Sequence, residues 1–185
     1  MKAVLLSIRP NWCKLIWSGM KTVEIRKTRP KLETPFKVYI YCTGAGIWWQ
    51  RCPNTGLQKM EECVIGTFVC DKIDKLVHVG TMMDINILTL DGWYKPAGEL
   101  LQAACLTEAQ AEKYLKGGDG YGWHISDLKI WDEPARLKNF WGMKPCKHGG
   151  DYCTCLQWDN MKEGCCASRY ISRPPQSWCY MEDEE

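Results

Sequence analysis

The 185-residue chain predicts an α+β fold built on a small barrel or curled sheet. Three observations carry that expectation. Strand-like segments outnumber helical ones, the clearest helix has recognisable signals at both ends, and the order runs strand, helix, several strands, helix, strand.

"KAVLLSI" is apolar almost throughout and reads as a buried first strand. "RPNWCKLIWSG" follows with Pro10 at a helix start and Trp12, Leu15 and Ile16 at helical spacing, and Gly19 supplies the stop. In "SGMKTVEIRK" the alternation puts Val23 and Ile25 on one face of a strand and Thr22, Glu24 and Arg26 on the other. "PFKVYIYCT" and "CVIGTFVCDKI", residues 63 to 73, are further strands. Residues 77 to 105 mix loop signals with short apolar pieces and receive no assignment. "LTEAQAEKYLKGG" is a helix capped by Thr107 and ended by Gly117 and Gly118, and "GYGWHISDLKIWD" returns as a strand. From Pro134 the pattern becomes irregular, so we place one domain at 1–133 and a Cys-rich extension packing on it at 134–185.

A net charge of +2 hides an asymmetry: residues 1–40 hold nine Lys and Arg against two Glu, while "EDEE" ends the chain. A basic segment suits a polyanionic partner, although it also suits a solvated face. No apolar run is long enough to span a bilayer, and the start is too short for a signal-peptide core, so the sequence reads as cytoplasmic. Phosphate-binding glycine loops, the Rossmann fingerprint and the Gly-x-Ser-x-Gly elbow are all missing.

From Gly19 the motif stretch reads Gly-x-Lys-x-x-Glu-x-Arg, with Lys21, Glu24 and Arg26 as its charged members. Placed just after a short helix, this resembles the signature of the ASCH domain, of the PUA-like superfamily of small β-barrels associated with RNA. "LLSIRPNWCKLIWSG", "PFKVYIYCT", "GYGWHISDLKI" and "RPPQSWCY" agree with it, in order. Compact relatives of this type occur in bacteria and their phages. The resemblance implies a PUA-like barrel with flanking helices, and a cleft lined by the signature that binds RNA or a modified nucleoside. It also implies an alternative, because some members are similar to amidohydrolases acting on N4-acylated cytidines and others are described as ribonucleases. Amidohydrolase-type members carry a threonine two residues before the arginine. Here Glu24 stands at that position, and Thr22 is not the matching residue.

The candidate ligand-binding residues are therefore Lys21, Glu24, Arg26, Trp49 and His124. Lys21 and Glu24 are catalytic candidates if the protein is an enzyme. Lysine, carboxylate and arginine together can hold a base edge or a phosphate, whereas the same residues on an open strand make an ion pair worth little in water. Trp49, one of ten tryptophans, follows Trp48, and in an extended segment one of the two faces outward, where an indole can stack a base. His124 lies in "GWHIS" and can bond a ligand or serve the structure. Glu108 and Glu112 are acids on the second helix, a type usually found on a solvated face.

Twelve cysteines without a secretory start point to reduced thiols or metal rather than disulfides. Cys13, Cys42, Cys52, Cys63, Cys70 and Cys105 are scattered, several in apolar runs where cysteine packs as a small hydrophobe. "CKHGGDYCTCLQWDNMKEGCC" concentrates Cys146, Cys153, Cys155 and Cys165, with His148 and Cys166 as substitutes. That set offers the four sulfur or nitrogen ligands of a structural zinc site, though without paired Cys-x-x-Cys knuckles.

Overall fold

A computed structural model describes residues 1–44, 46, 48–79, 84–142 and 170–183. The chain divides into two compact units. The first comprises Met1–Pro10, Tyr39–Gly66 and Trp131–Glu185, the second Asn11–Val38 and Thr67–Ile130.

The first unit is built around β1 (Lys2–Ile8), in a sheet ordered β11 (Ser126–Arg136), β6 (Cys63–Cys70), β3 (Phe36–Cys42), β1 and β12 (Trp178–Glu182). Strands β3, β6 and β11 run on along the chain into the second unit. Every residue of β1 from Ala3 to Ile8 is buried, which explains why its sequence does not alternate: apolar side chains are needed on both faces. Strand β12 pairs antiparallel with β1, Ala3 opposite Met181 and Leu5 opposite Cys179. On that face Ala3, Leu5, Tyr39, Tyr41, Val64, Leu137, Phe140, Ile171 and Met181 form one core. Tyr39 meets Phe140 edge-on at 5.5 Å between ring centres. A two-stranded ribbon, β4 (Trp49–Cys52) and β5 (Gly56–Lys59), also belongs to this unit.

The second unit holds α1 (Pro10–Trp17) from Asn11 onward. Its sheet is ordered β2 (Val23–Arg26), β10 (Gly120–His124), β7 (Ile73–His78), β8 (Ile85–Leu88) and β9 (Tyr94–Pro96). Helices α2 (Gly98–Ala103) and α3 (Glu108–Leu115) cover one face of that sheet. Leu100, Leu101, Ala104, Ala111 and Leu115 pack there on Val23, Ile25, Leu76, Ile85 and Ile87. Two glycines on the same face of β10 permit the close approach. A Cβ on Gly120 would lie 2.7 Å from Leu115 Cδ2, and one on Gly122 2.8 Å from Leu100 Cδ2. Thr107 caps α3 in a reciprocal capping box with Gln110.

The expected barrel does not close. Strands β11 and β12 end one sheet and β2 and β9 end the other, and among the described residues neither pair of end strands is joined. Alternation along a strand reports which faces are buried and is silent on whether the first and last strands of a sheet meet, so curvature and closure were not readable from it. The single strand expected at "GYGWHISDLKIWD" is two, β10 and β11, divided at Ile125, whose amide bonds Thr22. The tail is also more regular than its composition suggests, because Trp178–Glu182 forms β12. Trp141 and Tyr170, which flank 143–169, form a bridge.

Candidate functional site

Lys21, Glu24 and Arg26 are brought together by the end of α1 and the whole of β2. Gly19 takes a left-handed φ of 74°, which costs glycine little, and its amide bonds Ile16 at the helix end. The chain then turns so that the Lys21 amide bonds the Leu15 carbonyl and the Thr22 amide the Ala103 carbonyl at the end of α2. From this anchored start Lys21 Nζ donates to the Ala104 carbonyl at 2.7 Å and lies 3.2 Å from Glu24 Oε2. Arg26 Nη2 stands 2.9 Å from Glu24 Oε1. A helix leaves its last carbonyls without intrahelical partners, and the Lys21 ammonium satisfies one of them at α2. The ammonium also sits 5.0 Å from the centre of the Trp12 ring.

All three charged residues are withdrawn from water, Lys21 at 3%, Glu24 at 6% and Arg26 at 7% exposure. An ion pair on an open strand is thereby replaced by a network in a low-dielectric setting, where pairing matters far more. Register explains the environment. Glu24 stands opposite Trp123 and Arg26 opposite Tyr121, on the sheet face away from α2 and α3. Trp123 is fully buried and meets Phe36 edge-on at 5.9 Å.

His124 lies on the other face of β10, opposite Val23. Its Nε2 is 2.7 Å from Asp74 Oδ2, and Lys72 Nζ is 2.9 Å from Asp74 Oδ1. Burial pushes the Asp74 carboxyl up, but the Lys72 and His124 donors outweigh it and hold the group below its ordinary 3.8. The two acids on α3 are engaged rather than merely solvated: Glu108 accepts the Ile85 amide at 3.2 Å, and Glu112 contacts His78 Nε2. Trp49 belongs to the first unit, on β4, and is 54% exposed.

Cys146, Cys153, Cys155, Cys165, His148 and Cys166 lie outside the described residues. Among the described residues no three His, Cys, Asp or Glu side chains gather as metal ligands would. Cys13, Cys42, Cys52, Cys63 and Cys70 are buried cysteines outside any disulfide. Burial drives both Cys63 and Cys70 up to about 12.

Sequence reasoning missed Trp12, Trp123, Asp74 and the Ala104 carbonyl as members of these networks. Trp12 and Trp123 carried a readable hint, as aromatic residues in segments flanking the motif. The Ala104 carbonyl carried none, since every residue has one.

No family model and no curated protein matches the chain. Solved structures do. ASCH from Zymomonas mobilis aligns over 97% of this chain and 87% of its own, at TM-score 0.53 and 19% identity. Two mutant forms of that protein align with the same score and identity, over 98% and 97% of this chain and 91% and 88% of theirs. No helix among the described residues is long and apolar enough to cross a membrane. At this identity the likeness speaks for architecture, and the chain has an ASCH-like fold.

Proposed function

We propose that this protein binds RNA or a modified nucleoside through the Lys21–Glu24–Arg26 network. One observation carries the reading: the Glu24 carboxylate is gripped on both oxygens, by Lys21 at 3.2 Å and by Arg26 at 2.9 Å. A carboxylate fixed in that way is a preorganised acceptor, with lone pairs left for a donor such as a base amino group. Lys21 and Arg26 set its position, and the fully buried Trp123 stands opposite it on β10.

The same observation weighs against the alternative, a hydrolase acting on an N-acylated cytidine or on RNA. A general base must take a proton, and a proton reaching either oxygen of Glu24 would compete with a cationic donor already there. Glu24 also occupies the position at which amidohydrolase-type relatives carry threonine.

Calorimetric titration with a panel of nucleosides and short RNAs at low salt, each mixture then assayed for product, tests the proposal. Glu24→Gln should weaken binding roughly tenfold, the value of a hydrogen bond to a charged group. Measurable turnover that falls ~100-fold or more in Glu24→Gln would establish the hydrolase instead. Absence of binding by either ligand class at low salt would end the nucleic-acid reading.

A further inference from the structure

The β4–β5 ribbon sorts its side chains by face. Trp49 pairs with Lys59 and Arg51 with Leu57. Directly opposed residues share a face, and so do alternate residues of one strand, so all four lie on one side. All four are exposed, Trp49 at 54% and Leu57 at 62%. The other side carries Gln50, Gln58 and the buried Cys52.

The ribbon is also held in place. Trp48 and Met60 at its root are buried, and the Met60 amide bonds the Trp48 carbonyl at 3.0 Å. At its tip Asn54 and Thr55 both bond Asp132 of β11. An isolated hairpin is marginal in water, and these two anchorages fix its outer face.

An exposed indole thus has one cation directly across from it and another two residues along. The Arg51 guanidinium has no ion pair among the described residues, and Lys59 meets only Glu62, at 3.5 Å, with both side chains more than half exposed. An exposed pair of that kind gives way readily to a stronger anion.

We propose that this face is a binding platform for single-stranded nucleic acid. One base stacks on Trp49, Leu57 packs against its edge or sugar, and Arg51 and Lys59 take the flanking phosphates. Strand spacing and rise make the patch roughly 5 by 7 Å between side-chain roots, enough for one base and its neighbouring phosphates. Charge selects the occupant, since two cations around an indole suit a ligand that alternates anions with flat aromatic groups. The ligand class rests on the function proposed for the Glu24 network; the platform adds that the ligand is a strand.

Fluorescently labelled single-stranded RNA and DNA of about ten nucleotides provide the test, by anisotropy across a salt series. Trp49→Ala should weaken binding roughly tenfold or more. Arg51→Gln with Lys59→Gln should lower the slope of log affinity against log salt by roughly 1.4, about 0.7 for each phosphate no longer neutralised. All three positions are exposed, so melting temperatures should match the parent protein. Strand affinity that is unchanged in both variants overturns the platform. Binding to anionic phospholipid vesicles that depends on these residues, with no strand binding, overturns it equally. If nucleosides fail to bind and strand affinity depends on Trp49, Arg51 and Lys59 but is unchanged in Glu24→Gln, the platform stands and the Glu24 reading falls.

Discussion

Lys21 Nζ reaches the carbonyl of Ala104 at 2.7 Å, tying the start of β2 to the end of α2. A lysine at a strand mouth is expected to be dispensable for stability, and this one is not placed to be. Lys21→Met leaves the Ala104 carbonyl buried without its donor and Glu24 without one of its two cations. The expected loss is about 3–5 kcal/mol, the range for breaking a buried pair from one side. Urea unfolding of both proteins measures it, and a loss below about 1 kcal/mol would mean that the network is effectively solvated.

Gly122→Ala tests the packing of α2 on the sheet. The added methyl would sit 2.8 Å from Leu100 Cδ2 and 3.3 Å from Val23 Cγ1. Overpacking of this kind costs about 1–3 kcal/mol. Leu100→Ala in the same background should recover part of that loss, and failure to recover any would place the strain elsewhere.

Acid should act through Asp74. Its folded-state pKa is depressed, so its contribution is complete above the ordinary 3.8 and is lost as pH falls through the lower folded value. Asp74→Asn should therefore lower the melting temperature at pH 7, and the difference between the two proteins should shrink below pH 4. A gap that stays constant from pH 7 to pH 3 contradicts the assignment. The group is partly exposed, so the effect should be modest.

The cysteines at 146, 153, 155 and 165 we propose as ligands of a structural zinc ion. Protein purified without chelator should carry about one zinc per chain. Chelation should then make about four more thiols reactive under native conditions, while the buried Cys63 and Cys70 stay protected because burial holds them near 12. Metal-free protein with unchanged melting behaviour would dismiss the site. The bridge between Trp141 and Tyr170 joins the described residues on either side of these cysteines.

Sequence reasoning succeeded where a side chain's role is set by its neighbours in the chain. Gly19, Thr107 and the alternation of Val23 and Ile25 are of that kind, and so is the apolar run of residues 3–6 in β1. It failed on α2, β8 and β9, which are three to six residues long and show too few repeats for a period to appear; α2 also lacks a side-chain cap. The charge network was half legible. Lys21, Glu24 and Arg26 could be singled out as a group, but their burial depends on Ala104, 83 residues further on, and on Trp123 across the sheet. The glycines of "GYGWH" carry the same lesson, since what they make room for is two leucines on different helices.

The pairing of β1 with β12 has a consequence for synthesis. Translation releases β1 well before its partner at Trp178–Glu182. The second unit, complete by Ile130, can assemble while the first still waits with one flank of its buried, largely apolar strand unpaired. Nascent chains stalled before Trp178 should show protease resistance in segments 11–38 and 67–130 well before β1 acquires it. Any holdase that attends this protein would therefore be expected to bind the β1 segment, Lys2–Ile8.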